Sequence, residues 1–420
     1  MSAYEAHFCK VLKFLRVYEN LIDCHLVDFL TEDLWEKCLP KDLKVYLEKR
    51  GPDVISEINQ FDKANLCQDS ELYEFLKDAE SLNLDHCQDI LTRHNFLNII
   101  NEAKTQSSKP LQSEFMKVKK WHEVEVFTKT VAWLNQSQSC IVIDAGAGKG
   151  YSSLHLSNHY NFPVLAIECS QINHKGAILH RDLVNKKSKQ STSLINYAVK
   201  QIDDTTDFVQ LVKDHYPDFY PEKKLVMTAL HACGSLTDSV IKSFVNVSDM
   251  KCLCIVPCCY HLASQSLLSV YEFSKNSRML AQQSTERVKI KDEALSPSLF
   301  YRAVLQVIFR SLGIQDVKTG RGAPLDSFLI YAKWALKKIH ATELPTDEKL
   351  YDVYNEKKAL EWKFHVFQLL RIRLAPVVEA AIILDKLLFI QKSNVCTKLE
   401  VVQLFDPLLS PRNWAIIATK

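Results

Sequence analysis

The sequence predicts an α/β protein built on a doubly wound sheet, and three observations lead there. Short apolar runs alternate with helical patterns through the middle of the chain, one of these runs opens into alternating glycines, and two apolar runs flanking proline turns close the C-terminus. Apolar strands separated by helices imply a parallel sheet covered on both faces. The closing runs read as an antiparallel pair.

Residues 141 to 150 read IVIDAGAGKG, an apolar strand that stops at Asp144 and turns through Gly146, Gly148 and Gly150. Glycine lets a backbone turn sharply and approach a ligand closely, so a D-x-G-x-G-x-G strand end leading into a helix reads as a nucleotide-type cofactor cradle. The helical signal from Tyr151 to Tyr160 and the second strand from Pro163 to Glu168 strengthen it. Glu168 lies about twenty residues beyond the glycines, where a carboxylate can accept hydrogen bonds from ribose hydroxyls. The alternative is a tight turn followed by an ordinary surface glutamate.

Before this cradle, residues 4 to 30 place Phe8, Val11, Leu12, Leu15, Leu21 and Leu26 at helical spacing, and the pattern stays helical to roughly Ala103. Residues 1–110 are therefore expected to form a helical N-terminal domain that binds a partner, selects a substrate, or serves as a structural lid. A polar, lysine-bearing junction over 104–120 marks the boundary with a second domain, 111–420. The run Lys119, Lys120, Trp121, His122 and Glu123 enters the next helix. Lys119, Lys120 and His122 are candidates for meeting a substrate, with a solvated basic face as the alternative.

After the glycine turn come a helix from Gln171 through Val184, a strand over 193–199, a helix over 206–215, a strand over 224–230, a helix over 236–245 and a strand over 253–256. Residues 262–345 break the rhythm and read as a mainly helical insertion after the fifth strand. A long helix over 364–390 follows. Glu379, Asp385, Lys386 and Pro376 interrupt its most apolar stretch, which makes it a packed core helix and not a membrane span. Leu399–Phe405 and Trp414–Ala418 form the terminal hairpin. Five strands alternating with helices and a closing hairpin make the seven-stranded class I methyltransferase variant of the doubly wound sheet.

Composition bounds the rest. The chain has 420 residues, 47% hydrophobic and 24% charged, with a formal net charge of +2, so nothing in bulk charge marks a nucleic-acid partner. With 13 cysteines and no charged-then-apolar leader at its start, it is expected to hold reduced thiols in cytosol or nucleus.

The spacing also bears on the cofactor. Nicotinamide enzymes use G-x-G-x-x-G, whereas this chain has G-x-G-x-G with an acid two residues before the first glycine. That form and the terminal hairpin point to S-adenosylmethionine, with the glycine turn facing its amino-acid part, Asp144 ordering the loop or the ammonium, and Glu168 holding the ribose. An already activated methyl group asks the protein mainly to hold an acceptor in line and keep water away.

The acceptor is expected beyond the fourth and fifth strands, where His231, Cys233, Cys258, Cys259, Tyr260 and His261 converge. Three readings compete there. His231 or His261 orients or deprotonates the acceptor while Tyr260 stacks on it. Alternatively the cysteines and histidines bind zinc, against which adjacent cysteines are poor ligand spacing, and no metal is expected. In the third, small cysteines merely pack, with Cys258 or Cys259 lining the cofactor pocket. The N-P-P-[FYW] loop of amino-methylating enzymes is replaced by His231-Ala-Cys-Gly234.

Together with the glycine turn, His231-Ala-Cys-Gly234, Pro257-Cys-Cys-Tyr-His261, Leu374-Ala-Pro-Val-Val-Glu379 and Leu409-Ser-Pro-Arg-Asn413 resemble the methyltransferase-like protein 25 family, including the branch named for a ribosomal RNA adenine dimethylase domain. The resemblance implies a class I fold and a methyl-donor site and no particular substrate; the intact donor motif and the polar acceptor mouth lead to RNA or protein as the expected acceptor. A binding or scaffold protein that keeps the cofactor without transferring its methyl group is the alternative.

Overall fold

The strands form where β-branched and other apolar residues run without interruption, because a parallel strand covered on both faces has no side to turn toward water. A computed structural model describes residues 2–61, 70–102, 116–136, 140–188, 194–263, 265–283, 296–315, 317–320, 322–341 and 344–420. Strands β1 (Ile141–Ala145) and β2 (Val164–Glu168) are buried along their whole length. With β3 (Ile195–Val199), β4 (Leu225–Cys233), β5 (Met250–Cys258), β6 (Lys398–Gln403) and β7 (Trp414–Thr419) they make one seven-stranded sheet in the order β3-β2-β1-β4-β5-β7-β6. The first five strands are parallel, and β7 runs antiparallel to both β5 and β6. This is the class I methyltransferase order. Its direction reverses between β1 and β4, so the crevice beyond their carboxyl ends is where a ligand belongs.

The chain divides into two compact units, and the division differs from the expected boundary near residue 110. One unit comprises Met1–Cys9, Leu84–Phe273 and Glu379–Lys420; the other comprises Lys10–Asn83 and Ser274–Val378. The cause is packing. Phe96 and Ile100 of the helix Arg93–Glu102 are fully buried in the sheet's core with Val142, Val164 and Phe127, so residues 84–102 belong to the sheet unit. In the other unit the Phe29 ring packs against Phe364 and Phe367 at 5.3 and 5.2 Å, and Trp35 against Trp362 at 5.7 Å. The N-terminal helices thus share a core with the helices Ser298–Ser311 and Phe328–Lys338 of the expected insertion and with the start of the long helix. Most of the lysine-bearing junction lies outside the described residues.

The long helix runs Glu361–Lys392. Its charges within the sheet unit are all engaged. Asp385 accepts hydrogen bonds from the amides of Leu267 and Leu268, at 2.8 and 3.0 Å, and Lys386 forms a buried ion pair with Asp238. Burial raises the Asp238 carboxyl while Lys386 pulls it back down. Among the described residues no helix is long and apolar enough to cross a membrane.

Removing one member of this pair strands a charge in the interior. Lys386→Met should therefore lower the unfolding free energy by about 3–5 kcal/mol, and adding Asp238→Leu should restore much of it, as read by denaturant melts. A single variant as stable as the parent would contradict the pairing.

Candidate active site at the carboxyl ends of the central strands

The glycine turn after β1 is held in place by backbone bonds to β2. The amides of Gly146 and Ala147 both donate to the Ile167 carbonyl, at 2.9 and 3.0 Å. Gly146 has φ +73, and a Cβ there would come within 2.9 Å of the Leu236 side chain. Gly148, at φ +58, is different. A Cβ there would meet nothing within 4 Å, so this position is open to a ligand. Gly150, also left-handed, is closed by Ala177 at 3.2 Å.

Glu168 ends β2 beside this opening. Its Oε2 accepts the Gly148 amide and its Oε1 the Ser170 amide, both at 2.8 Å, so the acid bridges the two turns that frame the crevice. Asp144 faces inward instead. It is 1% exposed, and its Oδ2 accepts the hydroxyls of Ser152 and Ser153 at the start of the helix Tyr151–Tyr160. Burial raises its pKa, opposed by the two serines and by Lys120 nearby. Of its two expected roles, this placement suits ordering the loop.

On the acceptor side, β4 and β5 run further than their apolar cores suggested, with an irregularity between Ala229 and Ala232. His231 sits in that irregularity. Its side chain is 32% exposed, and Nε2 lies 3.2 Å from Oε2 of Glu123 in the helix Val118–Leu134. Ser410 Oγ donates to the other Glu123 oxygen at 2.7 Å, and the Lys119 and Lys120 ammoniums stand 3.6 and 3.9 Å away. Burial opposes the Glu123 charge. The hydrogen bond and charge of His231, the bond from Ser410 and the charge of Lys119 overcome it and hold the carboxyl down at about 2. Burial lowers the Lys120 pKa, opposed by Glu123 and Asp144.

Two expected roles need correction. His122 was a candidate for meeting substrate, but its Nε2 accepts the Asp406 amide at 3.1 Å and its ring packs on Phe405 at 5.9 Å. It is a structural clamp. Tyr260, expected to stack on the acceptor, is 2% exposed. Its hydroxyl donates to Glu379 at 2.7 Å, and Arg412 lies 5.7 Å from its ring centroid and 3.7 Å from the same carboxylate. Burial pushes Glu379 up to about 7, against the pull of Arg412 and the Tyr260 hydroxyl. His261 is half-buried in the turn Tyr260–Leu262 that follows.

Cys233, Cys258 and Cys259 come together at the strand ends. Their sulfurs are 3.0 Å (Cys233–Cys258), 3.5 Å (Cys233–Cys259) and 3.8 Å (Cys258–Cys259) apart. Cys233 is the exposed member. Hydrogen bonding from Cys258, against burial and with help from Cys259 and the charge of His231, lowers its thiol to about 6, while Glu168 opposes this. Cys258 and Cys259 are raised. The shifts single out Cys233 as the most acidic of the three thiols.

Residues missed by sequence reasoning are Ser410, Arg412 and the partners Ser152 and Ser153. Glu123 and Glu379 stand within motif-bearing runs of the sequence whose pattern assigns them no role at the site. Only the C-terminal S-P-R-N run carried a signal for Ser410 and Arg412.

Comparison with known proteins fits this geometry. Residues 119–266 match a family described as a methyltransferase domain. The chain is 32% identical over 222 residues to the mouse "Probable methyltransferase-like protein 25", covering 46% of this chain and 37% of that protein. It is 33% identical over 221 residues to the human protein of the same description, with the same shares covered. The chain thus matches well under half the length of these relatives. A crystal structure of coclaurine N-methyltransferase bound to N-methylheliamine and SAH aligns at a TM-score of 0.27 and 12% identity, over 94% of this chain and 100% of that one. The fold rests on the strand order, not on that alignment.

Two outcomes follow from the charges. Glu123's contribution to stability is present above its unfolded pKa near 4.5 and is lost as pH falls through about 2. Glu123→Gln should therefore be destabilised at pH 7, with the gap narrowing as pH drops below 4.5; a gap that widens there contradicts the pairing. In reduced, chelator-treated protein, iodoacetamide should label Cys233 ahead of Cys258 and Cys259, with the rate rising through about pH 6. Preferential labelling of Cys259 would refute the assignment.

Proposed function

We propose that this chain, a class I methyltransferase fold related to methyltransferase-like protein 25, binds S-adenosylmethionine at the Gly146–Gly150 turn and transfers its methyl group to a macromolecular acceptor, an RNA or a protein. The observation that carries the reading is the Glu168 carboxylate, anchored on the Gly148 and Ser170 amides beside a glycine with open space where a side chain would stand. A carboxylate oxygen has a second lone pair, so Glu168 keeps acceptor capacity for ribose hydroxyls while it holds the turn. The residues present therefore fit the cofactor: the glycine turn for its amino-acid part and Glu168 for its ribose.

When bound, the cofactor supplies a methyl group already activated on a sulfonium. This chain's residues then have to position an acceptor and take its proton if it carries one. His231 suits that role. The ionised Glu123 carboxylate beside Nε2 favours the proton on that nitrogen, which directs the basic lone pair of Nδ1 away from Glu123. Lys119 and Lys120 line the same helix end and suit an acceptor carrying negative charge. The N-terminal helices are assigned to partner or substrate choice.

Calorimetry of the full chain should show S-adenosylmethionine binding that Glu168→Ala weakens about ten- to a hundredfold, the worth of hydrogen bonds to a charged group. Radiolabelled donor incubated with RNA and protein fractions from cells lacking the protein should label one fraction, and His231→Ala should suppress the transfer more than the binding. Binding without label in any fraction would support the scaffold reading. Nicotinamide binding without donor binding would overturn the proposal.

A further inference from the structure

Adjacent residues of a strand project to opposite faces, so two neighbouring cysteines at a strand end should send their thiols apart. Cys258 and Cys259 do not. Cys259 adopts φ 49 and ψ 46, a left-handed conformation that costs a non-glycine residue about 1–2 kcal/mol. That kink turns its sulfur back to within 3.8 Å of Cys258 and 3.5 Å of Cys233. Cys233 is itself the direct partner of Cys258 across the β4–β5 pairing.

The backbone around the kink is fixed as well. Gly234 donates its amide to the Cys258 carbonyl at 3.0 Å, and a Cβ on Gly234 would come within 2.6 Å of Leu262. Strain and close packing of this kind, spent on bringing three sulfurs together, persist where the surrounding structure enforces them, and they cluster at functional sites.

We propose that Cys233, Cys258 and Cys259 form a metal site for a thiophilic divalent ion of the zinc class. A tetrahedral ion with zinc–sulfur bonds of about 2.3 Å sets its ligand sulfurs about 3.8 Å apart. Two of the three separations stand near that value, and the 3.0 Å pair would have to open by about 0.8 Å to reach it. Thiolates are the ligands that select zinc over magnesium or calcium. Binding displaces the remaining thiol protons to solvent and involves no change of oxidation state.

Among the described residues the cluster contains three sulfurs and neither a histidine nor a carboxylate ligand atom. The fourth position is therefore left for water or for an atom of the acceptor, the arrangement of reactive and not of closed structural zinc sites. Because Cys233 is exposed, that position is reachable from solvent. The site stands independently of the methyl-donor proposal.

The test uses the full chain purified with reductant and without chelator. Elemental analysis should find about one zinc per chain, and cobalt substitution should give thiolate charge-transfer absorption with the intense visible bands of a tetrahedral site. Cys233→Ser, Cys258→Ser and Cys259→Ser should each reduce the bound metal to near none, whereas Cys9→Ser, at an exposed cysteine outside the cluster, should retain it. Circular dichroism reports whether each variant folds, and the cobalt spectrum of the parent chain stays decisive if one does not. Absence of cobalt–thiolate absorption in folded, reduced parent protein would overturn the proposal, as would a Cys233–Cys258 disulfide in thiol-blocked peptide maps. Calorimetry with S-adenosylmethionine on the same samples separates failure of this site from failure of the donor site.

Discussion

The carboxylate of Glu168 is the point on which the site depends. It accepts the amide of Gly148 from the turn after β1 and the amide of Ser170 from the turn after β2, so one side chain fixes both walls of the crevice. A carboxylate bonded this way is held in one orientation, and it uses only part of its acceptor capacity. Beneath it, Asp144 accepts the hydroxyls of Ser152 and Ser153 and pins the first turn of the following helix. The glycine turn and the helix after it are thus held by two carboxylates, which spares ligand binding the cost of ordering a loop.

A second theme of the sheet unit is that its buried charges are bonded in groups. Glu123 gathers His231, Ser410 and two lysines; Glu379 gathers Tyr260 and Arg412; Asp238 takes Lys386. Paired charges tolerate burial where single ones do not, and each group ties segments distant in sequence. The C-terminal loop that supplies Ser410 and Arg412 is drawn in by the Glu123 and Glu379 carboxylates. The cluster at the ends of β4 and β5 is consequently assembled from the helix before the sheet, those strand ends, the long helix and the final loop.

The pattern of what was legible in the sequence follows from the range of the interactions. Strand and helix periodicity, the glycine turn, the position of Glu168 and the closing hairpin are local signals, and the sheet order agrees with them. The observed division departs from a boundary near residue 110 because Phe96 and Ile100, ordinary helix residues by their pattern, are covered by the sheet. The position of Tyr260 at a strand end points it toward the acceptor, and its spacing says nothing of Glu379, which lies 119 residues away. Adjacent cysteines are poor ligand spacing in the sequence, and the left-handed backbone of Cys259 that brings its sulfur to 3.8 Å from Cys258 has no signature there. Glu123 and Ser410 meet over 287 residues of chain, a separation that local pattern cannot read.

The central claim, a methyl-donor site framed by Glu168 and the glycine turn, is tested most directly by a crystal structure of the full chain with S-adenosylhomocysteine. The account predicts the ribose hydroxyls on the Glu168 carboxylate and the amino-acid portion against the turn at Gly146 to Gly148. A ligand bound elsewhere, or a turn from Gly146 to Gly148 left empty at saturating ligand, would contradict it.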